Sequence, residues 1–252
     1  MLLERKPSGI ATLTLDHPPA NAIGQPQVDA LSRALAQAAA DSDCRVLVVR
    51  GAGRFFCAGA DIRIMQGNSS ESERADRLAD FARALQMLCG AFESTPVPTI
   101  AAIRGTATGG GLELAMACDF RIVAREALIG LPETKLGLIP GAGGTQRMVG
   151  LIGRAHTFDL ILRGRLIGGD EAARIGLAHE SVSAENVEPR AMALAEELAT
   201  QPPQALREAK RCINLARSEA GFAAEIDATR ALHRHPDTAR RIAAFLAGRA
   251  SK

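Results

Sequence analysis

Glu113 follows Gly109-Gly110-Gly111-Leu112, and Glu133 follows Pro132 twenty residues further on. A carboxyl group is a general base when ionised and a general acid when protonated, so two in unlike surroundings can manage both proton transfers of one reaction. The glycines before Glu113 let the backbone approach a ligand closely. The helix that they introduce aims unpaired N–H groups and its positive dipole end at the same place. Such a site suits the oxyanion of an enolate, for which a preorganised donor is worth roughly 3 to 4 kcal/mol. Each glutamate also has a plain structural explanation: Glu113 complements a helix dipole, and Glu133 is a first-turn acid after an N1 proline.

Other chemistries fit less well. Strand, glycine loop, helix and a later acid also describe a dinucleotide-binding unit, but Gly105-Thr106-Ala107-Thr108-Gly109-Gly110-Gly111 does not spell G-x-G-x-x-G, and Glu133 heads a loop instead of ending a strand. Neither glycine loop continues into Lys and then Ser or Thr, as a P-loop requires. No G-x-S-x-G elbow and no H-E-x-x-H pair occur, which disfavours serine and zinc hydrolases. The five cysteines, Cys44, Cys57, Cys89, Cys118 and Cys212, are scattered and odd in number, which reads as reduced thiols and no metal site. Aromatics are 3%, with no Trp or Tyr, so the stacking platforms of single-stranded nucleic acid binding are nearly absent and nucleic acid is not an expected partner. The net charge of +2 conceals an arginine-rich C-terminal quarter, read as solvated helix faces. No apolar run reaches membrane-span length and the N-terminus looks like a strand, so a cytoplasmic protein without membrane association is expected.

The elements that must position the two glutamates are legible in outline. Ile10-Ala11-Thr12-Leu13-Thr14-Leu15 alternates as a strand and stops at Pro18-Pro19. Val28, Leu31, Leu35 and Ala38 recur at helical steps, and Val46-Leu47-Val48-Val49 reads as a buried strand. Thr99-Ile100-Ala101-Ala102-Ile103 and Phe120-Arg121-Ile122-Val123-Ala124 repeat the phrase, each running into a glycine-bearing loop and a helical stretch. Repeated strand, loop and helix units suggest stacked turns around one core. Between the first two units, residues 66–73 are polar and aperiodic, and read as a mobile surface segment. Beyond about residue 186 the pattern becomes helical, broken at Pro202-Pro203 and His235-Pro236, and predicts three or four helices.

Four segments resemble the enoyl-CoA hydratase/isomerase (crotonase) superfamily: Arg54-Phe55-Phe56-Cys57-Ala58-Gly59-Ala60-Asp61-Ile62; Ala101-Ala102-Ile103-Arg104-Gly105 with the triple glycine and Glu113; Leu131-Pro132-Glu133 through Gln146-Arg147; and Gly164 through Gly176-Leu177, similar to a helix pair that closes the core. The resemblance implies an α/β fold, a crotonase-like spiral of repeated ββα units with a C-terminal helical region. It divides the chain into a core with the active site at 1–185 and a helical region at 186–252 that mediates trimerisation. A homotrimer or a dimer of trimers is implied.

By the same resemblance the backbone N–H groups of Ala60 and Gly110 form an oxyanion hole, Ala58 lies against the CoA adenine, and Arg54 lies near the CoA phosphates. Asp61 and Ile62 belong to the same CoA-binding segment. With glutamate at both catalytic positions, the expected activity is that of an enoyl-CoA hydratase: reversible syn addition of water to a 2-enoyl-CoA, as in fatty acid β-oxidation. Glu113 would serve the water and Glu133 would serve Cα. No metal or separate cofactor is expected, since CoA arrives as part of the acyl-CoA substrate. A Δ3,Δ2-enoyl-CoA isomerase needs one carboxylate and typically lacks that at the Glu113 position. A dehydratase of a specialised hydroxyacyl-CoA would use the same pair. A non-catalytic acyl-CoA-binding or RNA-associating relative is disfavoured by two intact glutamates and few aromatics. The chain departs from the family pattern near its end, where Arg240-Arg241 precede Ala244-Phe245 and Gly248-Arg249 follow; this puts the family's lysine contact to CoA in doubt, with Arg249 or Arg241 either substituting for it or forming a solvated helix end. It also departs at Asn21-Ala22-Ile23-Gly24, to which the sequence attaches no function. The stretch from 66 to about 88 is expected to supply much of the acyl pocket.

Overall fold

The computed structural model describes residues 2–6, 8–61, 63, 70–216 and 219–250. Apolar, mostly β-branched runs form the centre. Strands β1 (Leu2–Arg5), β2 (Ile10–Leu15), β3 (Val46–Gly51), β5 (Thr99–Ile103), β7 (Phe120–Ala124) and β9 (Glu180–Val182) make a six-stranded sheet in the order β1-β2-β3-β5-β7-β9. Only the β1–β2 pair is antiparallel. Every residue of β2 and β5 is buried, as expected of strands covered on both faces.

A second sheet is small and parallel, in the order β4 (Phe55–Cys57), β6 (Thr106–Thr108), β8 (Ile129–Gly130). Each of its strands directly follows a strand of the large sheet and precedes a helix. These helices are α2 (Glu71–Ser94), α3 (Gly110–Ala117) and, after a 3-10 turn at Glu133–Leu136, α4 (Gly144–Leu162), which is interrupted at Gly153. Three ββα turns are therefore stacked, as the resemblance implies. Helix α1 (Gln25–Ala40) precedes them and packs on α2, burying Val28, Leu31, Leu35 and Ala38.

Two expectations are corrected. Residues 66–69 lie outside the described residues, but the rest of the presumed mobile segment is an ordered helix start. The Ser70 hydroxyl accepts from the Glu73 N–H and the Glu73 carboxylate accepts from the Ser70 N–H, a reciprocal cap for α2. The segment from Gly164 to Leu177 is not a helix pair. It holds one six-residue helix, α5 (Gly169–Arg174), and Ile167, which bridges back to Ile129.

Four helices follow: α6 (Val187–Ala199), α7 (Pro203–Asn214), α8 (Glu219–His233) and α9 (Pro236–Ala250). α6 lies across β2, β3, β5 and β7 and buries Val187, Ala191 and Ala195 in the main core. Among the described residues no helix is long and apolar enough to cross a membrane.

Candidate active site

The three strands of the small sheet end at one place, and each delivers a piece of the site. After β4 the chain runs through Ala58, Gly59 and Ala60, pinned to the segment before α1: Ala58 N–H donates to Ala20 O, Ile23 N–H to Gly59 O and Asp61 N–H to Ile23 O. Asn21, in the left-handed region with φ 54°, braces this turn by donating from its amide to the carbonyls of Ala52, Phe55 and Phe56. That role is not legible in the sequence, because its partners lie more than thirty residues away.

After β6 the triple glycine starts α3. A Cβ on Gly111 would lie 2.2 Å from the Cys57 carbonyl oxygen, so only glycine lets the helix start press against the end of β4. The same approach brings the start of α3 against Ala60, since a Cβ on Gly110 would lie 3.5 Å from the Ala60 nitrogen. Neither N–H has a hydrogen-bond partner among the described residues. The two expected oxyanion donors are thus brought together.

Glu113 sits one turn into α3 and is almost fully buried. One of its oxygens, Oε1, accepts from the N–H groups of Ala142 and Gly144, both at 2.8 Å. Burial raises its pKa above the ordinary value, while those two N–H groups and the nearby Arg147 pull it back down. After β8, Pro132 leads into the 3-10 turn headed by Glu133. Its Oε2 is buried without a hydrogen-bond partner. Burial first, and the charge of Glu113 in addition, lift its pKa from 4.5 to about 7.

Both carboxyls, Ala58, Ala60 and Gly110 line one cavity of about 530 Å³. Its other wall is apolar: Leu78, Phe81, Ala82 and Leu85 from α2, with Leu138 and Ile139 beyond the 3-10 turn. The expected acyl-pocket stretch therefore contributes through α2. Arg54 and Asp61 do not line this cavity. Arg54 is exposed and lies over the Phe55 ring at 5.2 Å, and Asp61 is paired with Arg63, whose hydrogen bonds hold its carboxyl down at about 2. Ile62 lies outside the described residues. At the C-terminus Arg241 is paired with Asp237, and the side chain of Arg249 lies outside the described residues.

The sequence profile of the enoyl-CoA hydratase/isomerase family matches residues 5–248. A Bacillus subtilis (strain 168) protein named "Probable enoyl-CoA hydratase" is 44% identical over 201 residues, covering 78% of this chain and 75% of that protein. The mouse protein named "Enoyl-CoA hydratase domain-containing protein 2, mitochondrial" is 43% identical over 213 residues, 82% of this chain and 70% of its own. Among solved structures, an enoyl-CoA hydratase from Bacillus anthracis superposes with a TM-score of 0.90 at 34% identity, over 98% of this chain and 96% of that one. Sequence profile, curated relatives and fold agree: the chain belongs to the enoyl-CoA hydratase/isomerase family.

Proposed function

We propose that this chain is an enoyl-CoA hydratase in which Glu113 is the general base and Glu133 the general acid. The observation that carries the reading is one cavity holding two unpartnered N–H groups and two carboxyls that differ in hydrogen bonding. Two backbone donors to Glu113 Oε1 favour its ionised form against the burial that raises its pKa. Glu133, without a partner on Oε2 and with a pKa of about 7, keeps a proton to near neutrality. With the thioester oxygen between the Ala60 and Gly110 N–H groups, Glu113 takes a proton from water as its oxygen bonds to Cβ. The electrons of the C=C bond shift into the enolate, and Glu133 gives its proton to Cα. The reverse sequence dehydrates a 3-hydroxyacyl-CoA. These groups complete the reaction with CoA as a part of the substrate.

The apolar cavity wall supports unfunctionalised acyl chains, the chemistry of fatty acid β-oxidation. Ala58 and Arg54 remain our candidates for the adenine and phosphate ends of CoA, Arg54 because it is exposed beside β4. A homotrimer or dimer of trimers is supported by Ile213, Phe222 and Ile226, apolar and exposed on α7 and α8. The cysteines, none in a disulfide, support a reducing, cytoplasmic setting.

Loss of the conjugated enoyl absorbance on incubation with crotonyl-CoA tests the activity. Glu113→Gln and Glu133→Gln are each expected to lower the rate by about 10² to 10⁴. No hydration of short, medium or long 2-enoyl-CoAs, with isomerisation of 3-enoyl-CoAs, would overturn the reading. So would tight binding without turnover.

A further inference from the structure

Arg147, on the first turn of α4, lies outside the cavity yet is joined to everything that holds Glu113. Its guanidinium donates from Nε and Nη2 to the two oxygens of Glu93 on α2, at 2.7 and 2.8 Å, and from Nη1 to the carbonyl of Ala142 at 2.8 Å. Ala142 and Gly144 are the residues whose N–H groups grip Glu113 Oε1. Glu93 is itself fixed through its carbonyl, which accepts from Asn214 at 2.7 Å. Gln86, two helical turns before Glu93 on the same face of α2, donates to the Gly141 carbonyl at 2.7 Å. The turn 141–144 is thus bound from α2 at one end and from Arg147 at the other.

Resting on the hydratase reading, we infer that Arg147, oriented by Glu93, is a positioning residue for the general base: it fixes the turn that aims the Glu113 carboxylate. A bidentate pair orients a guanidinium more firmly than a single contact, and a lysine cannot reproduce the fork. Among the described residues, the charged and titratable groups that act on Glu113 or on its partner Arg147 are Arg147 itself from α4, Cys89 and Glu93 from α2, and Glu133 from the 3-10 turn. Burial keeps Cys89 up at about 12, so it stays neutral. Arg147 is therefore the only cation in this set. Its removal lets burial act on Glu113 with less opposition, so the carboxyl protonates at higher pH.

The test compares Arg147→Met, Arg147→Lys and Glu93→Gln with the parent protein in kcat and KM for crotonyl-CoA across pH 5 to 9, in thermal midpoint, and in exchange of the Cα protons of butyryl-CoA in D2O. That exchange needs Glu133 and the oxyanion donors but no attacking water. Arg147→Met is expected to lose about 10- to 100-fold in kcat with little change in KM. Its acid limb should move to higher pH while Cα exchange is retained. Arg147→Lys should return the limb towards its original position without full kcat. Should Arg147→Met not fold, Glu93→Gln, which loosens the fork and leaves the cation, should lower kcat without losing exchange. An unshifted acid limb in Arg147→Met, or hydration and exchange falling together, overturns the inference. Wild-type hydration by Glu113→Gln would instead overturn the role of Glu113 as the base, and with it any base to position, whereas absence of hydration in the parent protein would overturn the hydratase reading itself.

Discussion

Glu113 and Glu133 carry the same group with the same ordinary pKa of 4.5, and the fold makes them unlike through what each oxygen touches. Glu113 accepts two backbone N–H bonds, which favour charge, whereas Glu133 has a buried oxygen with no donor, which favours the proton. On the proposed roles, kcat/KM should fall on the alkaline side as the free enzyme passes pH about 7, where Glu133 loses its proton. A pH profile whose alkaline limb survives in Glu133→Gln would contradict that. The same group has a stability consequence. Its folded pKa, about 7, exceeds the ordinary 4.5, so the native state binds more protons, and ionisation destabilises the fold progressively between those values and fully above pH 7. Glu133→Gln should therefore gain in thermal midpoint at pH 8 and gain little at pH 4, even as it loses activity. Equal midpoints at pH 8 would show that the carboxyl is not held at this cost.

At the scale of elements, the site is a product of repetition. β4, β6 and β8 carry three consecutive turns of chain to one point, delivering first a donor N–H, then a second N–H with a carboxyl, then a carboxyl. Four of the six strands of the large sheet, β2, β3, β5 and β7, were legible because they are unbroken apolar or alternating runs, whereas the separate edge strand β1 and the three-residue β9 were not. β4, β6 and β8 were not, being two or three residues long, too short for any period, and paired across roughly fifty or twenty residues of chain. The glutamates could be picked out beside Gly111 and Pro132, but Asn21 and Arg147 could not, since Asn21 serves backbone carbonyls more than thirty residues away and Arg147 is oriented by the Glu93 carboxylate, 54 residues away. The start of α4 offers a sharp test. A Cβ on Gly144 would lie 2.8 Å from Glu113 Oε1 and from Leu131 Cδ1, so Gly144→Ala must displace the carboxylate or the turn. A shift of about 1 Å in a reacting group costs on the order of 10² in rate. Hydration by Gly144→Ala should fall by about that factor, while Gly150→Ala, which meets open space in the same helix, should hydrate as the parent does.

Across the whole molecule, the helices after residue 186 are attached to the catalytic core at two levels. α6 buries its apolar face on the large sheet, and α7 sends one cation inward. Lys210 is buried with its ammonium donating to Asp119 at 2.7 Å and to the carbonyls of Val97 and Phe92 at 3.1 and 3.3 Å. Asp119 immediately follows the C-cap of α3 and also accepts from the Thr99 N–H and hydroxyl at the start of β5. One ammonium therefore joins α7 to the ends of α2 and α3 and to the strand between them. In an arginine-rich stretch where Arg211, Arg230, Arg240 and Arg241 pair at the surface, nothing in the sequence marks this cation as buried. Lys210→Met strands a half-buried carboxylate and two carbonyls, and is expected to destabilise the protein by about 2 to 4 kcal/mol, read from the urea midpoint at constant m. Adding Asp119→Asn should cost less than the sum of the two single changes, because each removes the same pair. Since Lys210 does not line the cavity, kcat measured well below the melting range should stay within about threefold of the parent. An unchanged urea midpoint would mean that α7 is held by its apolar contacts alone, and a collapse of kcat without loss of stability would tie the back of α3 to the chemistry at its front.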